Sequence, residues 1–377
     1  GVDCIFNIGR VPRRQEHAIG TPKTHSRYLS ESRMTQLLKL TSRGLHCDAG
    51  DFYIDPWAPV ERAVVTHAHS DHARPGHKKY LAAKEGEHIF RLRLGGEPEF
   101  DFVEFGERRN LNGVTLSLHP AGHMTGSAQV RIERRGEVCV VSGDYKLQSD
   151  PTTRTFEAIR CDTFVTESTF GLPIFNWEPS DSVFGEINAW WSANKAVGKP
   201  TVLYGYSVGK AQRLLASVDP DIGPIFGHGA IINACAAYRA CGVNLPEVRS
   251  VQSVASKHEL GGALVVAPPS AHGTPWIRRF DNAATGMASG WMRVRGIRRR
   301  RAMDRGFTIS DHVDWLGMLD AIRATEAGRV WVTHGYTSQV VDYLRQLGYD
   351  AKELLTHFRG EGADDVDASD HAVTIAR

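Results

Sequence analysis

The chain has 377 residues, 41% of them hydrophobic and 23% charged, a balance that excludes a fibre or an intrinsically disordered protein and allows one large globular domain or two moderate ones. No apolar run approaches the roughly 20 residues of a membrane-spanning helix and the first residues lack the apolar stretch of a secretory signal, so a cytoplasmic protein with no membrane partner is expected. Formal net charge is only +2, so any affinity for nucleic acid must come from a local basic patch.

Residues 1–33 are polar, mildly basic and aperiodic, Met34 is the first methionine, and a disordered N-terminal extension is expected there. From Leu45 short strands dominate: "FYIDPW" (52–57), "RAVVTH" (62–67), "KYLAA" (79–83), "VTLSLHP" (114–120), "AQVRIER" (128–134) and "EVCVVSGD" (137–144). Several alternate apolar and polar residues between Gly, Pro or Asp punctuation, and the run reads as one layer of a β-sandwich. Another strand closes in polar residues at "CDTFVTEST" (161–169). From about 180 to 280 strands such as "TVLYGY" and "ALVVAPP" alternate with helical stretches such as "GKAQRLLASV", which predicts βαβ units and a partly parallel sheet. After Thr308 two amphipathic helices flank the strand "RVWVTH", and the tail from about 360 is acidic and expected to be loose. The six cysteines are scattered without a CxxC pair, so they are expected to be reduced packing residues.

In "VVTHAHSDHARPGH" (64–77), His67, His69, Asp71 and His72 fall within six positions just after an apolar run. Side chains alternate in an extended segment, so His67 and His69 would point the same way, and a helix starting there would turn Asp71 and His72 toward the same space. A lone strand-end histidine is usually just solvated, but His-x-His-x-Asp-His is a far more specific pattern. "HPAGHMTGSAQV" offers His123 between glycines, with His119 as a competitor inside the strand. Asp144 ends the apolar strand of "VVSGDYK", where a buried carboxylate is costly unless cations accompany it. His312 in "ISDHVDW" and His334 in "WVTHGY" follow apolar runs in the same manner.

These motifs, with "RGLHCDAGDFYIDP", "TESTFGLP", "GKAQRLL" and "ASGWMRVRG", resemble the metallo-β-lactamase superfamily and within it the β-CASP nucleases, over about residues 36–358. The set is similar to the bacterial ligase-associated DNA exonuclease branch. The resemblance implies an α/β fold, a metallo-β-lactamase αββα sandwich with an inserted β-CASP α/β domain. Residues 34–174 would form the first part of the sandwich domain, 175–307 the insertion, 308–360 the second part and 361–377 an acidic tail; residues 1–33 are unmatched.

Carried over by position, the resemblance implies two divalent metal ions, Zn or Mn. One would be held by His67, His69 and His123 and the other by Asp71, His72 and His334, with Asp144 bridging. Asp55 would orient the histidine loop, with Asp48 as an alternative. Two metals roughly 3.5–4 Å apart suit phosphodiester hydrolysis by an activated hydroxide. Glu167 beside His312 would keep that imidazole protonated as the general acid.

The insertion would grip the substrate backbone. Ser207 and Lys210 lie in "GYSVGKAQ", Ser289 in "ASGW", and Arg293 and Arg295 in "WMRVRGIRRRRAMDR", which has seven arginines with Trp291 at its head. Arginine suits bidentate phosphate contact and tryptophan suits base stacking, although a solvated basic loop is the plain alternative. The branch implies an exonuclease acting on DNA in repair, with an ATP-dependent DNA ligase and a helicase as partners. His334 argues the other way, because histidine at the last motif accompanies RNA-processing members. A small-molecule metallohydrolase and an inactive nucleic-acid scaffold are the readings from other classes; the complete ligand set speaks against the scaffold.

Overall fold

The computed structural model describes residues 37–358 apart from 96, 97, 255, 281, 301 and 302. The extension expected at 1–33 and the tail expected at 361–377 lie outside the described residues.

The strands up to Val103 form one sheet and those after it begin another, so the early run makes two layers and not the single layer expected. The first sheet runs β1 (Lys39–Thr41), β2 (Gly44–Cys47), β3 (Phe52–Ile54), β4 (Arg62–Val64), β5 (Lys79–Ala83) and β6 (Glu99–Val103), neighbour to neighbour. Helix α1 (Glu87–Leu94) lies between β5 and β6 in sequence. The second sheet starts as an antiparallel meander of β7 (Arg109–Leu111), β8 (Val114–Pro120), β9 (Ala128–Arg134) and β10 (Glu137–Val141), then adds β11 (Thr163–Ser168) in parallel.

Helices and strands then alternate: α2 (Ser180–Ala196), β12 (Thr201–Tyr204), α3 (Lys210–Ser217), β13 (Ile225–Gly227), α4 (Gly229–Ala240), β14 (Arg249–Ser250), β15 (Leu264–Ala267), β16 (Ala284–Ala288), α5 (Arg295–Arg300) and β17 (Arg305–Phe307). Their six strands form a third sheet in the order β14-β13-β15-β12-β16-β17, every pair parallel. The continuous apolar runs of β12 and β15, wholly buried, are what a strand covered on both faces requires. After α6 (Trp315–Ala324) the chain returns to the second sheet, where β18 (Arg329–Gly335) pairs with β11 and, beyond α7 (Thr337–Gln346), β19 (Asp350–Glu353) pairs with β18.

Residue alternation explains the layers. In β4 and β5, Val64, Leu81 and Ala83 face a core shared with Leu116, Leu118, Val130 and Val141 of the second sheet. Ala63, Tyr80 and Ala82 face the opposite side, against Ile89 and Phe90 of α1. In the second sheet Val140, Phe164, Val330 and Val332 turn outward onto Met318, Leu319 and Ile322 of α6 and Val340, Val341 and Leu344 of α7. The order is therefore helix, sheet, sheet, helix. One face of the third sheet, through Leu203, Leu264 and Val266, packs with α2, α3 and α4 into the same cluster as the outer face of the first sheet. Among the described residues no helix is long and apolar enough to cross a membrane, and Cys47, Cys139, Cys161, Cys235 and Cys241 are free thiols.

Candidate metal centre

The histidine motif lies in neither a strand nor a helix. Strand β4 ends at Val64, and residues 66–73 form a turn in which the His72 and Ala73 N–H groups donate to the His69 carbonyl at 3.2 and 2.7 Å. That turn, rather than an extended segment followed by a helix, brings the side chains together. It is fastened by Asp55, which follows β3 and carries a left-handed φ of 43°, a conformation that Asp tolerates better than most residues. Its carboxylate accepts from the Thr66 N–H at 2.8 Å, the Thr66 hydroxyl at 2.6 Å and His72 Nδ1 at 2.8 Å. Asp48 lies at the surface, paired with Lys39 and His46 at 2.6 Å each.

A hydrogen bond engages one nitrogen of each imidazole. Thr66 donates its hydroxyl proton to Asp55, so it accepts from His67 Nδ1 at 3.0 Å, leaving the His67 Nε2 lone pair for another partner. His72 uses Nδ1 on Asp55. His123 uses Nδ1 on the Asp311 carbonyl at 2.7 Å, and His69 uses Nε2 on the Val208 carbonyl at 3.1 Å. His334 gives Nδ1 to the Thr333 hydroxyl at 3.1 Å, which itself donates to the Thr166 carbonyl at 3.3 Å. With one ring nitrogen so engaged, each of the five histidines turns its other nitrogen inward.

Asp144 stands at the meeting point. Its Oδ2 is 3.6 Å from His67 Nε2 and 3.5 Å from His72 Nε2, and its Oδ1 is 3.1 Å from His334 Nε2. Gly143 makes this approach possible: its φ is 58°, and a Cβ there would lie 2.7 Å from Thr66 Cβ. His67, His69, His123 and Asp144 form one candidate ligand group, and His72, Asp144 and His334 a second, each with its donor atoms within 4.8 Å of one another. Asp71 is buried at the edge, its Oδ2 3.9 Å from His72 Nε2.

The donor set fits divalent cations. The Nε2 atoms of His67 and His72 are buried without a hydrogen-bond partner, and His69 Nδ1 and His123 Nε2 meet at 3.0 Å, where two lone pairs repel unless a cation lies near both. Burial holds the His67 imidazole well below the ordinary histidine range, aided by His72, and holds His123 there too, aided by His312. For His72 burial pulls the same way, but Asp144, Asp71 and Asp55 outweigh it and raise it well above that range. Burial opposes ionisation of Asp144, yet His72, His334 and His312 hold its carboxyl well below the usual carboxylate range. Three buried carboxylates thus draw positive charge to the second candidate group.

His312 stands beside this centre. Its Nδ1 faces both oxygens of Glu167 at 3.0 and 2.8 Å and lies 3.9 Å from Asp144 Oδ2. The Tyr145 N–H also donates to Glu167 Oε1 at 2.9 Å, so the carboxylate is fixed from two sides. His119 lies on β8, where it meets Ser117 Oγ at 3.0 Å and Glu157 Oε2 at 3.3 Å, apart from the ligand groups.

The residues expected to grip substrate are placed differently. Ser207 is buried after β12 and its hydroxyl has no hydrogen-bond partner. Lys210 is also interior, 1% exposed, with Nζ 3.0 Å from Asp311 Oδ2, so an open phosphate site is not what surrounds it. The Ser289 hydroxyl accepts the Trp291 N–H at 3.2 Å. Trp291 packs on Phe170, ring centroids 4.8 Å apart, and on Phe175 at 5.7 Å, which engages the ring expected to stack on a base. Arg293 is exposed and donates from Nε to the Ile174 carbonyl at 3.3 Å; Arg295, also exposed, opens α5. Sequence reasoning missed Thr66, which relays Asp55 to His67, the Val208 and Asp311 carbonyls, and Phe358, stacked on His72 at 4.3 Å. A carbonyl's role leaves no trace in residue type; only Thr66 could have been found, as the hydroxyl next to His67.

No family model matches the chain. It is 30% identical over 315 residues to a protein of Opitutus terrae named probable DNA ligase, a match covering 82% of this chain and 30% of that protein. It is 24% identical over 131 residues to endoribonuclease ysh-1 of Neurospora crassa, covering 32% of this chain and 14% of that one. The chain thus spans less than a third of the length of either relative. A crystal structure of an Enterococcus faecalis protein of unknown function aligns with a TM-score of 0.53 at 11% identity, covering 78% of this chain and 79% of that one, a likeness of fold alone. The relatives and the His/Asp donor set support the family that the motifs resemble, the metallo-β-lactamase and β-CASP nucleases.

Proposed function

We propose that the chain is a metal-dependent nuclease of β-CASP type that hydrolyses phosphodiester bonds of DNA, as an exonuclease in DNA repair. The observation that carries this reading is the set of five inward-turned imidazoles around Asp144 with the His312–Glu167 pair beside them. His67, His69 and His123 would hold one divalent ion and Asp71, His72 and His334 a second, zinc or manganese, with Asp144 serving both. Such ions, when bound, lower the pKa of a water and neutralise charge on phosphoryl oxygens. His312, oriented by Glu167 through Nδ1, presents its other nitrogen to hold a proton for the departing sugar oxygen, which leaves poorly as an alkoxide. Residues 34–174 and 308–360 would make the sandwich domain, in keeping with the return of β18 and β19 to the second sheet, and 175–307 the inserted domain.

The choice of DNA is supported by the long match to a protein named as a DNA ligase, a name that also favours a ligase partner; an ATP-dependent ligase and a helicase are the partners proposed. RNA processing is the second reading, favoured by His334 and by the shorter match to an endoribonuclease. Purified protein given end-labelled single-stranded DNA, duplex DNA and RNA with Mn²⁺, Mg²⁺ or Zn²⁺ separates them. DNA shortened progressively from one end is expected; RNA preference selects the second reading, and internal products appearing first replace exonuclease by endonuclease. Cleavage unchanged in Asp144→Ala overturns the metal mechanism. His312→Ala should lose about 10²–10⁴ in turnover with metal content unchanged, and loss of metal instead would make His312 a ligand.

A further inference from the structure

Behind the histidines lies a group of buried charges that the proposed reaction does not use. Lys146 and Asp150 come from the loop after β10, Lys210 and Arg213 from α3, and Asp311 from the segment between β17 and α6; none is more than 7% exposed. Asp311 Oδ1 takes Arg213 Nη1 at 2.9 Å and lies 3.6 Å from Lys146 Nζ, and Oδ2 takes Lys210 Nζ at 3.0 Å. Asp150 Oδ2 takes Lys146 Nζ at 2.7 Å and lies 3.5 Å from Arg213 Nε. The same cations seize the backbone around Asp311: Lys210 donates to the Ile309 carbonyl at 3.2 Å and Arg213 to the Ser310 carbonyl at 2.6 Å.

This grip ends at the centre. The Asp311 carbonyl accepts His123 Nδ1–H at 2.7 Å, the bond that leaves Nε2 as the lone pair, and Lys146 donates to the His123 carbonyl at 3.2 Å. His312 follows directly, its N–H donating to Ser310 Oγ at 3.0 Å. One short segment therefore sets the tautomer of one histidine and the place of another.

We propose that Asp311 is a positioning residue through which α3, by Lys210 and Arg213, holds His123 and His312 in working orientation, so that the third-sheet layer tunes metal retention without supplying a ligand. The inference rests on the reading of His123 as a ligand. Three cations against two carboxylates leave one positive charge in excess, so removal of Asp311 alone raises the imbalance, whereas Asp311→Asn with Lys210→Met leaves the excess as it was.

The test loads the full chain with zinc and measures chelator competition, thermal unfolding, and kcat and KM on a single-stranded DNA oligonucleotide. In Asp311→Asn the chelator concentration that strips half the zinc should fall about 10–100-fold, the range for groups that orient ligands, and kcat should fall with KM unchanged. In the double variant the unfolding temperature should recover while zinc retention does not, because charge balance returns but the carbonyl stays unanchored. Wild-type zinc retention and kcat in Asp311→Asn, or recovery of retention together with stability in the double variant, would overturn the proposal and leave a structural staple only. If Asp311→Asn fails to fold, the double variant carries the test. His123→Ala separates the two readings: full zinc in that variant removes the ligand assignment and the inference with it, while zinc lost there but kept in Asp311→Asn defeats the inference alone.

Discussion

Asp55 touches neither candidate group's interior, yet its one carboxylate orients two of the proposed ligands, His67 through Thr66 and His72 directly. Its Oδ1 accepts the Thr66 N–H, and its Oδ2 accepts both the Thr66 hydroxyl, through which it sets His67, and His72 Nδ1. Asp55→Ala should therefore loosen both groups of ligands at once, with zinc retention falling about 10–100-fold in a chelator titration; retention at the wild-type level would show that the turn holds its shape unaided. At this scale the sequence was informative where several unusual residues crowd together, as at His67, His69 and His72. It was uninformative at Lys210 and Trp291. A Gly-Lys helix start and a Trp before arginines read as contacts for phosphate and base, but Lys210 meets an aspartate about a hundred positions away and Trp291 an aromatic cluster from Phe170. Local sequence carries no signal of such distant partners.

Elements deliver the proposed ligands at their ends. His123, Asp144 and His334 all follow or close strands of the second sheet, β8, β10 and β18, and the apolar runs that precede them made this much readable. The division of the early strands between two sheets was not readable, because alternation gives the same pattern on either side of a shared core. The turn after β10 has little tolerance. With φ at 58° and Thr66 Cβ 2.7 Å from where a side chain would begin, Gly143→Ala combines a disfavoured backbone with a clash against the residue that orients His67. Loss of roughly 1–3 kcal/mol is expected from the backbone conformation, read as a lower urea midpoint, together with weaker zinc retention. An unchanged midpoint would mean that Thr66 can retreat without cost.

Over the whole molecule, the change of texture near residue 180 foretold the third sheet, and the helix–strand alternation foretold its parallel pairing, which is complete and not partial. What the sequence concealed is how that layer is joined to the sandwich, partly by apolar packing and partly by the buried ions. Asp150 allows the ionic part to be weighed apart from the ligands. Burial would raise its pKa, but Lys146 and Arg213 outweigh burial and hold it below the usual carboxylate range. An unfolded aspartate titrates near about 3.9, so above that pH both states are ionised and the stabilising contribution is complete. As pH falls through the depressed native value the folded carboxylate takes up its proton and the contribution is lost. Asp150→Asn should accordingly destabilise by roughly 3–5 kcal/mol near neutral pH, the range for breaking a buried pair, and the gap from wild type should close below about pH 4. Urea midpoints of both proteins across that range decide it: a gap that persists in acid would assign the effect of Asp150 to its hydrogen bonds with Thr152, at 2.8 and 2.7 Å, and not to its charge.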